Sequence, residues 1–173
     1  VIAEAISSEF TRVQCMYDLN IKDVIGYAYL DDNNNIALKK GPIFTNLLLI
    51  DELNRAPAAT TTSLLEALEE KMVTIGNQTL NLNKPFIAFA TQNPLNIEGT
   101  IPLPKVLTDR FLLRIAVSYP SEEEEQKMLR MKENAEHIKT EKVLSISDIL
   151  ELQKMVETVS ISDELINYIT RIV

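Results

Sequence analysis

The stretch LLLIDELNRAP, residues 47–57, sets two adjacent carboxylates, Asp51 and Glu52, directly after four aliphatic residues. A short, continuous apolar run of this kind is what a strand buried on both faces of a helix-covered parallel sheet looks like. Acids at its carboxyl end then lie where open α/β sheets bind their ligands, in position to meet a metal ion or a phosphate. Phosphoryl transfer uses such a pair: one acid near Mg²⁺, the other placed to orient or deprotonate the attacking water. The bland alternative is two acids ending a strand in a turn, and the dipeptide alone does not decide between them.

The flanking sequence supports an α/β reading. FTRVQC (10–15), FIAFAT (86–91) and LLRIAV (112–117) are further strand-like runs, and VIAEAI (1–6) reads as helical turns. Between 58 and 71, Leu64, Leu65, Ala67 and Leu68 form an apolar face, with Glu66, Glu69 and Glu70 on the polar side. Two segments break the rhythm: 24–41 has strand-like runs either side of an Asp/Asn tip, and 71–85 alternates around Gly76-Asn77, so both are expected to be β-hairpins. From Ser121 onward the pattern turns helical. Ser121 and Glu124 have capping-box spacing ahead of a helix over 122–135, Ser147 is expected to cap a helix over 148–159, and Ser162 one over 163–173.

Composition narrows the function classes. With 173 residues, 46% hydrophobic and 24% charged, the chain can bury a sizeable core, and 4 Gly and 7 Pro fit neither disorder nor a collagen repeat. The apolar runs are strand-sized, so no membrane partner is expected. Cys15 is the single cysteine, which excludes an internal disulfide or a cysteine zinc cluster and fits the reducing cytoplasm. His137, the single histidine, reads as a solvated helix-end residue. The net charge of −8 argues against a nucleic-acid partner.

Motif order then makes a specific match. LLLIDE followed by LNRAP, a helix, a hairpin, a strand ending ATQNP, and PLPKVLTDRFLLRIAVSYPSEEEE (102–125) together resemble the AAA+ ATPases of the MoxR family over nearly the whole chain. The resemblance implies an α/β fold: a parallel-sheet core of the P-loop type with β-hairpin inserts over 1–120, followed by the start of a helical lid over 121–173. It implies ATP and Mg²⁺ as cofactors. Asp51 becomes the Walker B residue assisting Mg²⁺, and Glu52 the catalytic acid that activates water. Asn93 becomes sensor 1, holding the lytic water or the γ-phosphate, and Arg110 the arginine finger that serves a neighbouring subunit's nucleotide. Taken alone, Asn93 reads as an Asn-Pro turn starter and Arg110 as the partner of a surface acid. Also implied are a ring of subunits, hexameric in this family, a cytoplasmic location, and protein substrates or a co-chaperone-like partner met by the hairpins.

The chain departs from the family at both ends. No glycine-rich loop ending Gly-Lys-Ser or Gly-Lys-Thr occurs, and the helices stop at INYITRIV (166–173) before the family's sensor 2 arginine. The expectation is therefore the middle of a MoxR-type ATPase whose parent hydrolyses ATP while this piece alone does not. A non-catalytic interaction module built on the same core, or a DNA-translocating relative with the same inserts, remain the alternatives.

Overall fold

A computed structural model describes residues 1–93, 102–133 and 140–172; His137 and the side chain of Leu65 lie outside the described residues. Strands β1 (Phe10–Gln14), β4 (Leu47–Asp51) and β7 (Ile87–Ala90) form a parallel three-stranded sheet in the order β1-β4-β7. β4 is central because its side chains can be buried on both faces: Leu47, Leu48 and Ile50 are almost wholly enclosed, each contributing about 1.5–3 kcal/mol of burial. Asn46 ties the amino ends together. Its amide donates to the Pro85 carbonyl, its Oδ1 accepts from the Glu9 amide, and its backbone carbonyl accepts from Ile87.

Helix α3 (Ala58–Glu70) covers the sheet with Leu64, Ala67 and Leu68. Pro57 sits at its start, where proline's fixed φ suits a helix entry. The threonines that follow are β-branched, yet each hydroxyl finds a carbonyl: Thr60 donates to Leu19, and Thr61 and Thr62 donate to Ala58. The helix ends at Lys71, which is left-handed at φ 56° and whose ammonium donates back to the Leu68 carbonyl.

Both expected hairpins form. β2 (Gly26–Leu30) pairs with β3 (Ile36–Lys40), and β5 (Met72–Ile75) with β6 (Gln78–Asn81). In the first, Asp31 organises the tip by accepting from the Asn33 and Asn35 amides. In the second, Gly76 takes φ 63° at the first position of a two-residue turn, where glycine is favoured. Residues 21–25, part of which was expected in the first hairpin, form helix α2 (Ile21–Ile25) instead, because Asn20 and Asp23 build a reciprocal capping box.

Two further expectations are corrected. Residues 112–117 do not form a strand: Leu112, Leu113, Ile115 and Val117 are exposed, and among the described residues β7 pairs with β4 alone. Apolar sequence makes a run strand-competent, but a strand also needs a neighbour for its backbone hydrogen bonds. After the short α4 (Lys105–Thr108) and α5 (Glu122–Glu133), helix α6 (Ile146–Glu157) is capped by Ser145 rather than Ser147. The reason is spacing: Ser145 stands three residues before Asp148, and the two side chains bond each other's amides, while the Ser147 hydroxyl pairs with that of Ser145. Helix α7 (Asp163–Ile172) starts as expected, the Leu165 amide donating to Ser162. The capping box at Ser121 and Glu124 is also present. Ala5, the last residue of α1 (Ile2–Ala5), ties the segment before α6 to α1 by accepting from the Val143 and Leu144 amides.

Candidate active site

Asp51 ends β4 at the carboxyl edge of the sheet, and Glu52 follows at φ 54°, ψ 47°. In an extended strand successive side chains point to opposite faces. The left-handed turn at Glu52 breaks that alternation, at a cost of about 1–3 kcal/mol for a residue with a Cβ. It also starts a single 3₁₀ turn over Leu53–Arg55, and the next amide to reach the Thr91 carbonyl is that of Leu53.

Neither acid stands alone. The Asp51 carboxylate accepts from the Thr91 hydroxyl on one oxygen and from the Arg12 guanidinium on the other. These bonds, the Thr91 hydroxyl first, hold the Asp51 carboxyl below the usual carboxylate range, so it is charged at neutral pH. Glu52 accepts on Oε2 from Gln14 Nε2 at 3.1 Å and from Arg55 Nη1 at 2.8 Å.

Thr91 is the common member of this cluster. Its amide donates to the Ile50 carbonyl at 2.9 Å, its carbonyl accepts from Leu53 at 3.0 Å, and its hydroxyl accepts from the Glu52 amide at 2.9 Å while donating to Asp51. Cys15 lies buried beneath: its amide donates to the Asp51 carbonyl. Burial, followed by the charges of Asp51 and Glu52, pushes its thiol up to about 11, which keeps it an uncharged packing group.

Asn93 follows two residues beyond Thr91, and its backbone carbonyl accepts from the buried Asn54 side chain at 3.0 Å. Arg110 is not brought to the acids. It forms an ion pair with Glu69 in the last turn of α3, with Leu107 buried on one side of it in sequence and Phe111 packed against the core on the other. A shallow cleft of about 520 Å³ lies at the opposite, amino end of the sheet, between Glu9, Asn46 and Asn83, away from these groups.

The sequence reading points to Asp51 and Glu52 and does not name Arg12, Gln14, Asn54 or Thr91, which the structure bonds to those acids or to Asn93. No local signal marks them: Arg12 and Gln14 share their face of β1 with the exposed Phe10, and Val13 alone in that strand is buried. Among the described residues, no group of three or more His, Cys, Asp or Glu side chains is arranged to hold a metal ion.

The profile of the ATPase family associated with various cellular activities (AAA) matches residues 1–113. Chaperone MoxR1 of Mycobacterium tuberculosis is 39% identical over 99% of this chain and 45% of its own length. Uncharacterized protein YeaC of Bacillus subtilis is 40% identical over 99% of this chain and 54% of its own length. A crystallised candidate ATPase from Cytophaga hutchinsonii superposes with a TM-score of 0.83 at 39% identity, covering 98% of this chain and 52% of that one. The chain thus spans about half the length of the relatives it matches.

Proposed function

This chain belongs to the MoxR family of AAA+ ATPases, and on that premise we propose that it carries the hydrolytic residues of an ATP-driven ring that remodels or matures protein complexes. The observation behind this reading is the pair of acids at the carboxyl end of the central parallel strand, both fastened to the next strand through Thr91.

Asp51 fits the magnesium role. Its carboxylate is kept charged, and a single carboxylate completed by nucleotide oxygens and water is a common way for proteins to hold Mg²⁺. When bound, the ion supplies charge neutralisation at the phosphates. Glu52, oriented by Gln14 and Arg55, orients and deprotonates the attacking water. Asn93, whose backbone carbonyl accepts from the Asn54 side chain, contacts that water or the γ-phosphate in this reading. Arg110 exchanges Glu69 for the nucleotide of the next subunit, six subunits making the ring. The two hairpins meet the protein substrate or a co-chaperone-like partner. A cytoplasmic site of action belongs to this reading, and no helix among the described residues is long and apolar enough to cross a membrane.

The test is Glu52→Gln in the full-length protein. The amide keeps shape and hydrogen bonding but cannot accept a proton, so ATP binding is retained while turnover is nearly abolished. Near-normal turnover would remove Glu52 from the role.

A second reading, a non-catalytic interaction module, draws on one observation: Arg12 and Arg55 already neutralise both acids within the chain. Absence of any ATP hydrolysis by the wild-type full-length protein under conditions where it forms rings would favour the module.

A further inference from the structure

We infer that Thr91 is a positioning residue for hydrolysis, its single hydroxyl setting the placement of Asp51 and Glu52 relative to each other. The inference rests on the ATPase reading above and goes beyond it, since the residue acts through two others.

The β4–β7 register ends at Ile50 opposite Ala90. Thr91 extends the contact by one more rung: its amide meets the Ile50 carbonyl and its carbonyl meets the Leu53 amide. Between those two bonds the Glu52 amide is out of the ladder, because the Leu53 amide takes the Thr91 carbonyl in its place. No backbone acceptor of β7 takes it; the Thr91 hydroxyl does. A hydroxyl can accept and donate at once. Its proton goes to the Asp51 carboxylate while its lone pair receives the Glu52 N–H, so the two acids are tied to one oxygen atom. Alanine or valine could supply the backbone bonds but neither half of this bridge. Arg12 and Gln14 each hold one acid from the other side of β4, and neither touches both.

The bridge matters because the two acids have different tasks whose geometry must agree. Groups that orient a functional carboxylate commonly change activity on the order of ten- to a hundredfold when removed. Valine is nearly isosteric with threonine and lacks the hydroxyl, and serine keeps the hydroxyl and loses the methyl. Thr91 is exposed at the open end of the sheet, so neither change threatens the core.

The experiment compares Thr91→Val, Thr91→Ser and Glu52→Gln in the full-length protein. Each is followed by steady-state ATP hydrolysis, by ATP affinity, and by hydrogen exchange at the Glu52 amide in nucleotide-free protein. Thr91→Val is expected to lose kcat on the order of ten- to a hundredfold with ATP affinity retained, and to speed exchange at Glu52. Thr91→Ser is expected to keep both properties near wild type. Equal loss in both threonine variants would assign the effect to packing and overturn the inference, as would unchanged kcat or unchanged exchange in Thr91→Val. Glu52→Gln separates the two claims. Its near-normal turnover removes Glu52 from the catalytic role and this inference with it, whereas an inactive Glu52→Gln beside a fully active Thr91→Val leaves the reading standing and overturns the role of Thr91.

Discussion

Arg12 reaches diagonally across the ladder to pair with Asp51, although the residue directly opposite Asp51 is Gln14, which bonds Glu52 instead. The crossed arrangement gives each acid its own partner from β1. It also puts a guanidinium on the carboxylate proposed to meet Mg²⁺.

Removing that guanidinium has a predicted signature in acid. Asp51 titrates below the ordinary carboxylate value in the folded chain, so its stabilising effect is fully present above the unfolded value of about 3.9 and fades as pH falls through the lower folded value. Arg12→Gln raises the folded value toward the unfolded one and shrinks that contribution. Arg12 is more than half exposed, so the expected loss at neutral pH is only about 0.2–1 kcal/mol. Urea melts between pH 3 and 7 check this. A variant as stable as wild type throughout, with an unmoved Asp51 titration, would show that the pair has no energetic role.

Arg110 gives a prediction about assembly. Arg110→Ala should leave ATP affinity nearly intact while turnover falls, since the guanidinium serves charge that develops during transfer. Glu52→Gln and Arg110→Ala subunits spoil different halves of a shared site, so mixed rings should recover activity through their intact interfaces. Rings shown to be mixed yet inactive would place the action of Arg110 within its own chain or remove it.

The 173-residue chain by itself is expected not to bind ATP, because its sequence contains no Gly-Lys-Ser or Gly-Lys-Thr loop to cradle phosphates. Arg12 and Arg55 are engaged with Asp51 and Glu52, so the acid pair offers a polyanion no net positive charge. Calorimetry checks it: stoichiometric, Mg²⁺-dependent binding in the micromolar range, about −8 kcal/mol, would reveal a phosphate site elsewhere in the chain.

Cys15 should be inert in the folded protein. The thiolate is the reactive form, and a thiol pushed up to about 11 and fully enclosed supplies almost none at neutral pH. A disulfide reagent is expected to label it only on unfolding. Labelling at the rate of a free thiol in native buffer would mean that the end of β1 opens readily.

The base of the first hairpin carries the sharpest steric demand. Gly26 lies at φ 98°, and a Cβ there would meet the Lys39 carbonyl oxygen at 2.0 Å. Gly26→Ala should therefore destabilise the fold by more than the roughly 1–3 kcal/mol of an ordinary strained backbone position. A thermal melt unchanged by the substitution would mean that the hairpin base rearranges freely.

How far the sequence was legible depended on whether the information was local. The apolar run of β4, the two-residue turn at Gly76-Asn77 and the Ser121–Glu124 cap are written in neighbouring residues, and all three form as expected. The choice of Ser145 over Ser147 was also local and was missed only because two serines compete for one helix start. Residues 112–117 were misread because apolarity states what a segment can do, whereas a strand needs a partner that composition does not name. Arg12, Gln14 and Thr91 were invisible for a related reason. Each meets its acid from about forty positions away, across a parallel ladder whose register no local pattern encodes.

Helix α3 begins a few residues after Glu52, meets the second hairpin through the bond from Thr74 to Glu66, and meets Arg110 through Glu69 one turn later. At about 1.5 Å per residue it is a stiff rod of roughly 20 Å. Its far end carries acids in the last turn, against the direction its dipole favours, and Lys71 at the cap and Arg110 on Glu69 supply the counter-charge. One stiff element thus joins the second hairpin, the Arg110 ion pair and the turn after Glu52, with Leu64 and Ala67 seating its middle in the core.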